Sequence, residues 1–319
     1  MAEVSRFLLV RLLQALLVAL LVGCLAFAML LALPGDIAYR IAAGRYGYDQ
    51  VSVAAAEHVR LQLGLDEPPL LRLMAWLSQL FRGDLGYSLV TNEPVMHEVV
   101  SHLANSLGLA VCGLLAAFVI AMLFGVPAAM SPGGRVDRCL QAWVAMTRAM
   151  PAFFLGLLLM LVISVQWGWL PVAGNGSWQH LLLPSLTLGV SVSGALALIV
   201  KQTLLSVVQS DYYQFALTKG LSPQRVFIRH GLRNSGVILL SYAAMQLLLL
   251  IEGVVVVESL FAWPGLGHAL VHAIFWRDVP VVQGVVLVLA LGFVVMNSMV
   301  DWLCCYLDPR TRHRLGRGA

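Results

Sequence analysis

Long apolar stretches separated by polar ones dominate this chain, and their lengths define its elements. Six runs reach the roughly 20 mostly apolar residues that a membrane-spanning helix needs: 12–33, 107–130, 142–166, 181–200, 236–257 and 281–300. They are continuous rather than broken into short alternating strands, which argues against a β-barrel. The pattern predicts an all-α integral membrane protein with about six transmembrane helices. Arg148 and Pro151 interrupt the start of the third run, which reads as an interfacial turn followed by a span from Pro151 onward. The last run continues past Asp301 to Leu307.

Composition agrees with the pattern. The 319 residues are 60% hydrophobic and 11% charged, with a mean hydropathy of +0.86, whereas about a quarter of a soluble domain is charged. Arg6 and Arg11 precede the first run, in which Leu21-Val22-Gly23-Cys24 and Ala26-Phe27-Ala28 look like processing sites. The run nevertheless stays apolar to Leu33, where a processed chain would turn polar, so a retained anchor helix is expected. Cys24, Cys112, Cys139, Cys304 and Cys305 lie in or beside apolar runs without metal-site spacing and read as small buried hydrophobes.

Orientation follows from the basic residues. Segment 131–149 holds Arg135, Arg138 and Arg148; segment 201–235 holds five cations; the tail holds Arg310, Arg312, Arg314 and Arg317. Segment 167–180 holds none and 258–280 only Arg277. The positive-inside rule puts the first three in the cytoplasm and the last two outside. Both termini are then cytoplasmic, and the long 34–106 segment is external. Within it, 51–63 and 70–81 have helical spacing, with Pro68-Pro69 marking the second start. Leu73, Trp76, Leu77 and Leu80 share one face, as expected of an amphipathic helix on the bilayer or the bundle, or of a platform for an external partner.

Signals of catalysis are missing. His97-Glu98 begins a zinc-protease pattern, but His102 comes one residue too late to share the face. There is no phosphate-binding Gly-x-x-x-x-Gly-Lys-Ser/Thr sequence and no Gly-x-Ser-x-Gly elbow. A stand-alone channel or ion-coupled carrier is the alternative class, for which Glu252 is the only acid well inside an apolar run; it is a candidate for the translocation path. His268 and His272, four apart, could share a helix face and touch a metal, but two ligands leave such a site incomplete.

The most distinctive stretch is the polar island 201–235, too long for a simple connector. It carries Lys201, Lys219, Arg225, Arg229 and Arg233 against one acid, Asp211. Asp211 is expected to cap a helix running to Lys219, with Gly220 as its left-handed stop. Ser222 would cap a second helix with Pro223 at its first position, along which Arg225, Arg229 and Arg233 would line one side. Tyr212, Tyr213 and Phe215 add aromatic bulk.

Here the chain resembles a known family. Gln214-Phe215-Ala216 followed by Gly220 is similar to the EAA motif, Glu-Ala-Ala-x-x-x-Gly, of bacterial ABC importer permeases, with Gln214 in place of the usual acid. Lys219-Gly220-Leu221, Arg229-His230 and Leu232-Arg233-Asn234 resemble the oligopeptide/dipeptide/nickel branch. So do Leu33-Pro34-Gly35-Asp36, Gly83-Asp84-Leu85-Gly86, Phe261-Ala262-Trp263-Pro264-Gly265, Arg277-Asp278-x-Pro280 and Asp308-Pro309-Arg310. The long loop after the first span resembles the B-type subunit. The resemblance implies one transmembrane domain over 1–319 in the bacterial inner membrane, with 201–235 as the coupling loop. It implies a second homologous permease, two cytoplasmic ABC ATPases that bind the ATP, and an extracytoplasmic binding protein. No cofactor is expected in this chain. The ATPase-docking residues would be Gln214, Phe215, Ala216, Lys219, Gly220, Leu221, Arg225 and Arg229. Peptides, nickel and metal chelates all stand as possible cargo.

Overall fold

A computed structural model describes residues 2–307 except 48 and 50; for 2–8, 30, 223, 224, 229, 230, 233, 234, 237, 248, 249, 251, 252 and 303–307 it describes the backbone alone. The basic tail from Asp308 onward, with Arg310, Arg312, Arg314 and Arg317, lies outside the described residues. Among the described residues the chain is helical, with one isolated bridge, Tyr87 to Pro94, and no named strand. Among the described residues four helices are long and apolar enough to cross a bilayer, or five if one bent pair counts as a single span. Two compact units divide the chain: residues 1–106 with 264–295, and 107–263 with 296–319.

The first unit starts with α1 (Ala2–Ala32), whose candidate span is Leu9–Met29. Asp36 caps α2 (Ile37–Tyr46) by accepting from the Ala38 amide at 2.8 Å, and Ser52 caps α3 (Val53–Gln62) through the Ala55 amide. Ile41, Ala42 and Val59 seal these two helices together. Pro69 opens α4 (Pro69–Phe81) at the first position, where its missing N–H costs nothing. Trp76 is buried and Leu73 and Leu80 are packed inward, as the shared face predicts. The Trp76 ring occupies the space over Gly23 of α1, where any β-carbon would overlap it. The amphipathic helix therefore packs on the first long helix. The amino-terminal part of α5 (Val95–Met130), α12 (Leu266–Trp276) and most of α13 (Val279–Leu307) complete this unit, around Val95, Val99, Leu266, Ala273 and Val285.

The second unit is built on α8 (Gln179–Val208), in which Leu188, Leu196, Ala197, Val200 and Leu204 are fully buried. Small residues bring α5 against it. A β-carbon on Gly125 would lie 2.7 Å from the Ala197 carbonyl oxygen, and one on Gly189 2.7 Å from Ala116 Cβ. Such close backbone approach is how apolar helices gain packing where lipid gives no hydrophobic drive.

The third apolar run is broken rather than continuous. α6 (Arg135–Ala149) ends at Met150, which is extended (φ −103°, ψ 117°) as a residue before proline prefers. The chain then bends by 106° into α7 (Ala152–Leu159) and a π-helical turn, Met160–Gln166. At 1.5 Å per residue the helix after Pro151 covers about 22 Å, short of a bilayer core of about 30 Å. The fifth run lies in α11 (Arg233–Leu260), 28 residues long, within which the described apolar stretch is Ile238–Leu247. The last run continues past Asp301 within α13.

Candidate functional site

The polar island folds as a short helical hairpin at the end of α8. α9 spans Asp211–Thr218, and Gly220 (φ +80°) takes the left-handed conformation expected of it. The chain re-enters helix at α10 (Pro223–Val226), passes through a π-turn at Phe227–Leu232, and continues into α11. The cap differs from the expectation by one residue. Ser210 holds the cap position and Asp211 the first helical one, and the Ser210 hydroxyl donates to the Val207 carbonyl rather than capping α9. Asp211 still stands in the first turn, where a negative charge suits the helix dipole.

Inside the hairpin, Tyr213, Ala216 and Val226 are buried with Val207, flanked by Leu217 and Leu221. Gln214 is exposed, and its Nε2 donates to the Val208 carbonyl at 2.8 Å. Val208 ends α8, so this bond caps a carbonyl that the helix leaves open. Phe215 is 61% exposed, with the Lys219 ammonium 4.6 Å from its ring centroid. Tyr212, Thr218, Gly220 and Arg225 are exposed too. The expected site residues thus divide. Phe215, Lys219, Gly220 and Arg225 form the outer surface; Ala216 and Leu221 hold the inside; Gln214 ties the hairpin to α8. The side chains of Arg229 and Arg233 lie outside the described residues, as does that of Glu252. The π-turn between Arg225 and Arg233 interrupts the four-residue repeat on which a single basic stripe depends.

Lys201 does not belong to the exposed basic surface. Its Nζ sits 2.6 Å from Asp137 Oδ1 of α6, and both side chains are nearly buried. Asp137 also accepts from the Gly133 amide at 2.9 Å. Sequence reasoning missed this partner, although a lysine at the end of an apolar run calls for a counter-charge.

In the first unit the distant motif residues meet. Arg277, itself left-handed at φ +56°, donates to the carbonyls of Pro34 and Gly35, the latter at 2.8 Å. Asp278 accepts from the Ser88 hydroxyl and from the Leu89 and Val90 amides at 3.0 and 3.3 Å. Asp36 pairs with Arg60 at 2.6 Å. These bonds lock three loops in place. His268 and His272 stack edge to face on α12 with ring centroids 4.5 Å apart. Among the described residues no group of three or more metal-type ligands comes together.

An all-helical chain with four or five helices able to span a bilayer is a polytopic membrane protein. Comparison with known proteins names its kind. The family model described as "Binding-protein-dependent transport system inner membrane component" matches residues 121–313, and the amino-terminal model of the same systems matches 4–110. The chain is 38% identical over 295 residues to the glutathione transport system permease protein GsiC of Pectobacterium atrosepticum, covering 92% of this chain and 95% of that one. It is 37% identical over 308 residues to the GsiC of Salmonella paratyphi A, covering 97% and 99%. Against the GsiC of Escherichia coli K12 it is 37% identical over 294 residues, covering 92% and 94%. The chain belongs to the inner-membrane permeases of binding-protein-dependent ABC importers. It is a transport subunit, not an enzyme; in these systems ATP is hydrolysed by separate subunits.

Proposed function

We propose that this chain is one of two homologous permeases that together form the import path for a short-peptide cargo. An extracytoplasmic binding protein delivers the cargo, and two cytoplasmic ATPases drive its passage. Residues 1–319 are read as one transmembrane domain of six spans, the broken α6–α7 pair and α11 supplying those beyond the four long apolar helices, with both termini cytoplasmic. The basic loops 131–149 and 201–235 support that orientation.

One observation carries the coupling role: a compact hairpin joined to the most buried helix of its unit, with Phe215, Lys219 and Arg225 on its outer side and glycine at its tip. Gln214, Phe215, Ala216, Lys219, Gly220, Leu221, Arg225 and Arg229 are proposed to seat in a groove of an ATPase, the inner residues by holding the shape. Closure of the ATPases would then move the hairpin as a unit and bias the bundle between inward- and outward-open states. Nothing lies within 4 Å of a β-carbon built on Gly220, so a side chain there meets no neighbour in this chain, although its left-handed backbone strains any residue but glycine, aspartate and asparagine least. Gly220→Asp is expected to leave the complex in the membrane while ATP hydrolysis no longer drives uptake; coupled uptake at the wild-type rate would overturn the docking role.

For cargo, the relatives are named for transport of glutathione, a tripeptide. This favours a short peptide over nickel or a metal chelate. Uptake of labelled glutathione and dipeptides by the complete importer, each competed with the other, tests that choice. A stand-alone ion-coupled carrier is not favoured for a chain of this family. Glu252 is proposed as a path residue from its position as an acid within an apolar run.

A further inference from the structure

The first unit carries an open pocket of about 310 Å³ between the amino-terminal turns of α5, the loop at 88–91 and α12. Its polar lining combines two carboxylates, Glu98 and Asp278, with three imidazoles, His102, His268 and His272, beside the Thr91 hydroxyl. His102 Nδ1 lies 2.8 Å from the Pro264 carbonyl oxygen, which can only accept, so in the neutral ring Nδ1 carries the hydrogen and Nε2 is left as a lone pair. That lone pair faces Glu98 Oε1 at 4.0 Å, too far for a direct bond, and burial pushes the Glu98 carboxyl above its ordinary range, so its ionised form needs a cation beside it. Glu98 Oε2 is buried with no hydrogen-bond partner in the described structure. His268 and His272 face the same space. Burial, with the neighbouring His272 and His102, holds the His268 pKa below its ordinary value and favours the neutral ring, which has one nitrogen able to accept. No lysine or arginine lines the cavity, and Asp278, its other acid, is already taken up by Ser88, Leu89 and Val90.

A group with several N–H donors on one atom satisfies this arrangement. A nitrogen at about 2.8 Å from both acceptors would subtend an angle of about 90° across their 4.0 Å separation, which two ammonium hydrogens about 109° apart meet with each bond bent by only about 10°. A single bridging water meets the angle but not the charge, and the cavity holds far more than one water's share of about 30 Å³. The Trp276 ring and the aliphatic Val90 and Val281 supply walls that suit a cation and its carbon chain. We propose that this cavity, with Glu98 and His102 as its polar floor, binds the α-ammonium terminus of the peptide cargo on the external side of the permease. The assignment rests on the peptide-import reading above.

The test uses the permease–ATPase complex without binding protein, in nanodiscs of phosphatidylglycerol, with radiolabelled S-methylglutathione as the probe in equilibrium dialysis. Saturable binding is expected, with the α-N-acetylated compound competing at least tenfold more weakly. Glu98→Gln should weaken binding at least tenfold. Glu57→Gln, an acid of the same unit paired with Arg60 at 3.5 Å, should not change it. The acetylated competitor needs no variant, so misfolding of Glu98→Gln cannot mimic the result. Absence of saturable binding, equal competition by the acetylated compound, or wild-type affinity in a correctly assembled Glu98→Gln complex would overturn the subsite. An ethanolamine headgroup offers the same ammonium. Saturable binding of phosphatidylethanolamine that Glu98→Gln abolishes, with probe binding unchanged by the same variant, would assign the cavity to lipid and overturn the cargo assignment. Failure of the complete importer to take up any short peptide would overturn the cargo reading and the subsite with it. Normal uptake with insensitivity to acetylation overturns the subsite alone.

Discussion

Restoring the family's usual acid at the first motif position, by Gln214→Glu, should weaken the hairpin. Gln214 Nε2 donates to the Val208 carbonyl at 2.8 Å. A carboxylate has no hydrogen to give, so two oxygens would face each other. The lost bond contributes about 0.5–1.5 kcal/mol, and the exposure of Gln214 puts it in the lower half of that range. A negative charge at the carboxyl end of α8 opposes the helix dipole by a further ~0.3–1 kcal/mol. The attraction of the α9 amino end does not compensate, because Asp211 already occupies its first turn and the effect fades beyond it.

The total of about 1–2 kcal/mol corresponds to a roughly 5- to 30-fold rise in opening of the hairpin. Gln214→Ala loses only the bond, about 0.5–1 kcal/mol, and should open more often than wild type but less often than Gln214→Glu. Hydrogen exchange at amides 211–221 of the assembled importer, without nucleotide, reads this order directly. Exchange in Gln214→Glu equal to or slower than wild type would refute the reasoning. Position 214 would then serve a partner rather than the end of α8.

Three further outcomes follow from the packing. Gly125→Ala puts a methyl 2.7 Å from the Ala197 oxygen and 2.8 Å from Val200 Cβ, neither of which can swing aside, and should cost about 1–3 kcal/mol. Gly108→Ala, on the same helix with nothing within 4 Å, should gain about 0.5–1 kcal/mol; melting of the purified complex compares the two, and equal shifts would contradict the close α5–α8 contact. Asp137→Lys or Lys201→Asp alone should lower expression and melting temperature, and the two together should recover part of the loss; no recovery would mean that the pair is not what each residue is kept for. Ala262 sits at φ +47°, where a β-carbon is strained, so Ala262→Gly should raise stability by about 1 kcal/mol in the same melting assay, and a fall would indicate that its methyl is needed for packing.

What could be read from the sequence was the part governed by one residue's own backbone. Pro69 opens α4, Pro151 breaks the third run one residue after an extended Met150, and Gly220 turns the hairpin, because each restricts or frees φ whatever surrounds it. The misplaced cap shows the limit of that logic. Ser210 and Asp211 are both good cap residues by type, so local preference does not choose between them, and Ser210 takes the place with its hydroxyl on the Val207 carbonyl. Partners far along the chain were out of reach altogether. Nothing local tells Arg277 that it will hold Pro34 and Gly35, or Lys201 that its acid is Asp137, since a single sequence carries no pairing information.

The island itself changes meaning once these partners are known. Adjacent motif residues serve opposite sides: Ala216 packs inward with Tyr213 and Val226, while Phe215 projects outward under Lys219. A loop that merely displayed charge would bend when pushed. The hairpin is tied to α8 by the Gln214–Val208 bond and by the buried cluster with Val207, and α8 in turn is anchored to α6 through Lys201 and Asp137. If the ATPases push on Phe215 and Gly220, the displacement should therefore pass into the most buried helix of the unit rather than dissipate within the loop. Loosening any of these ties should reduce coupling before it reduces assembly.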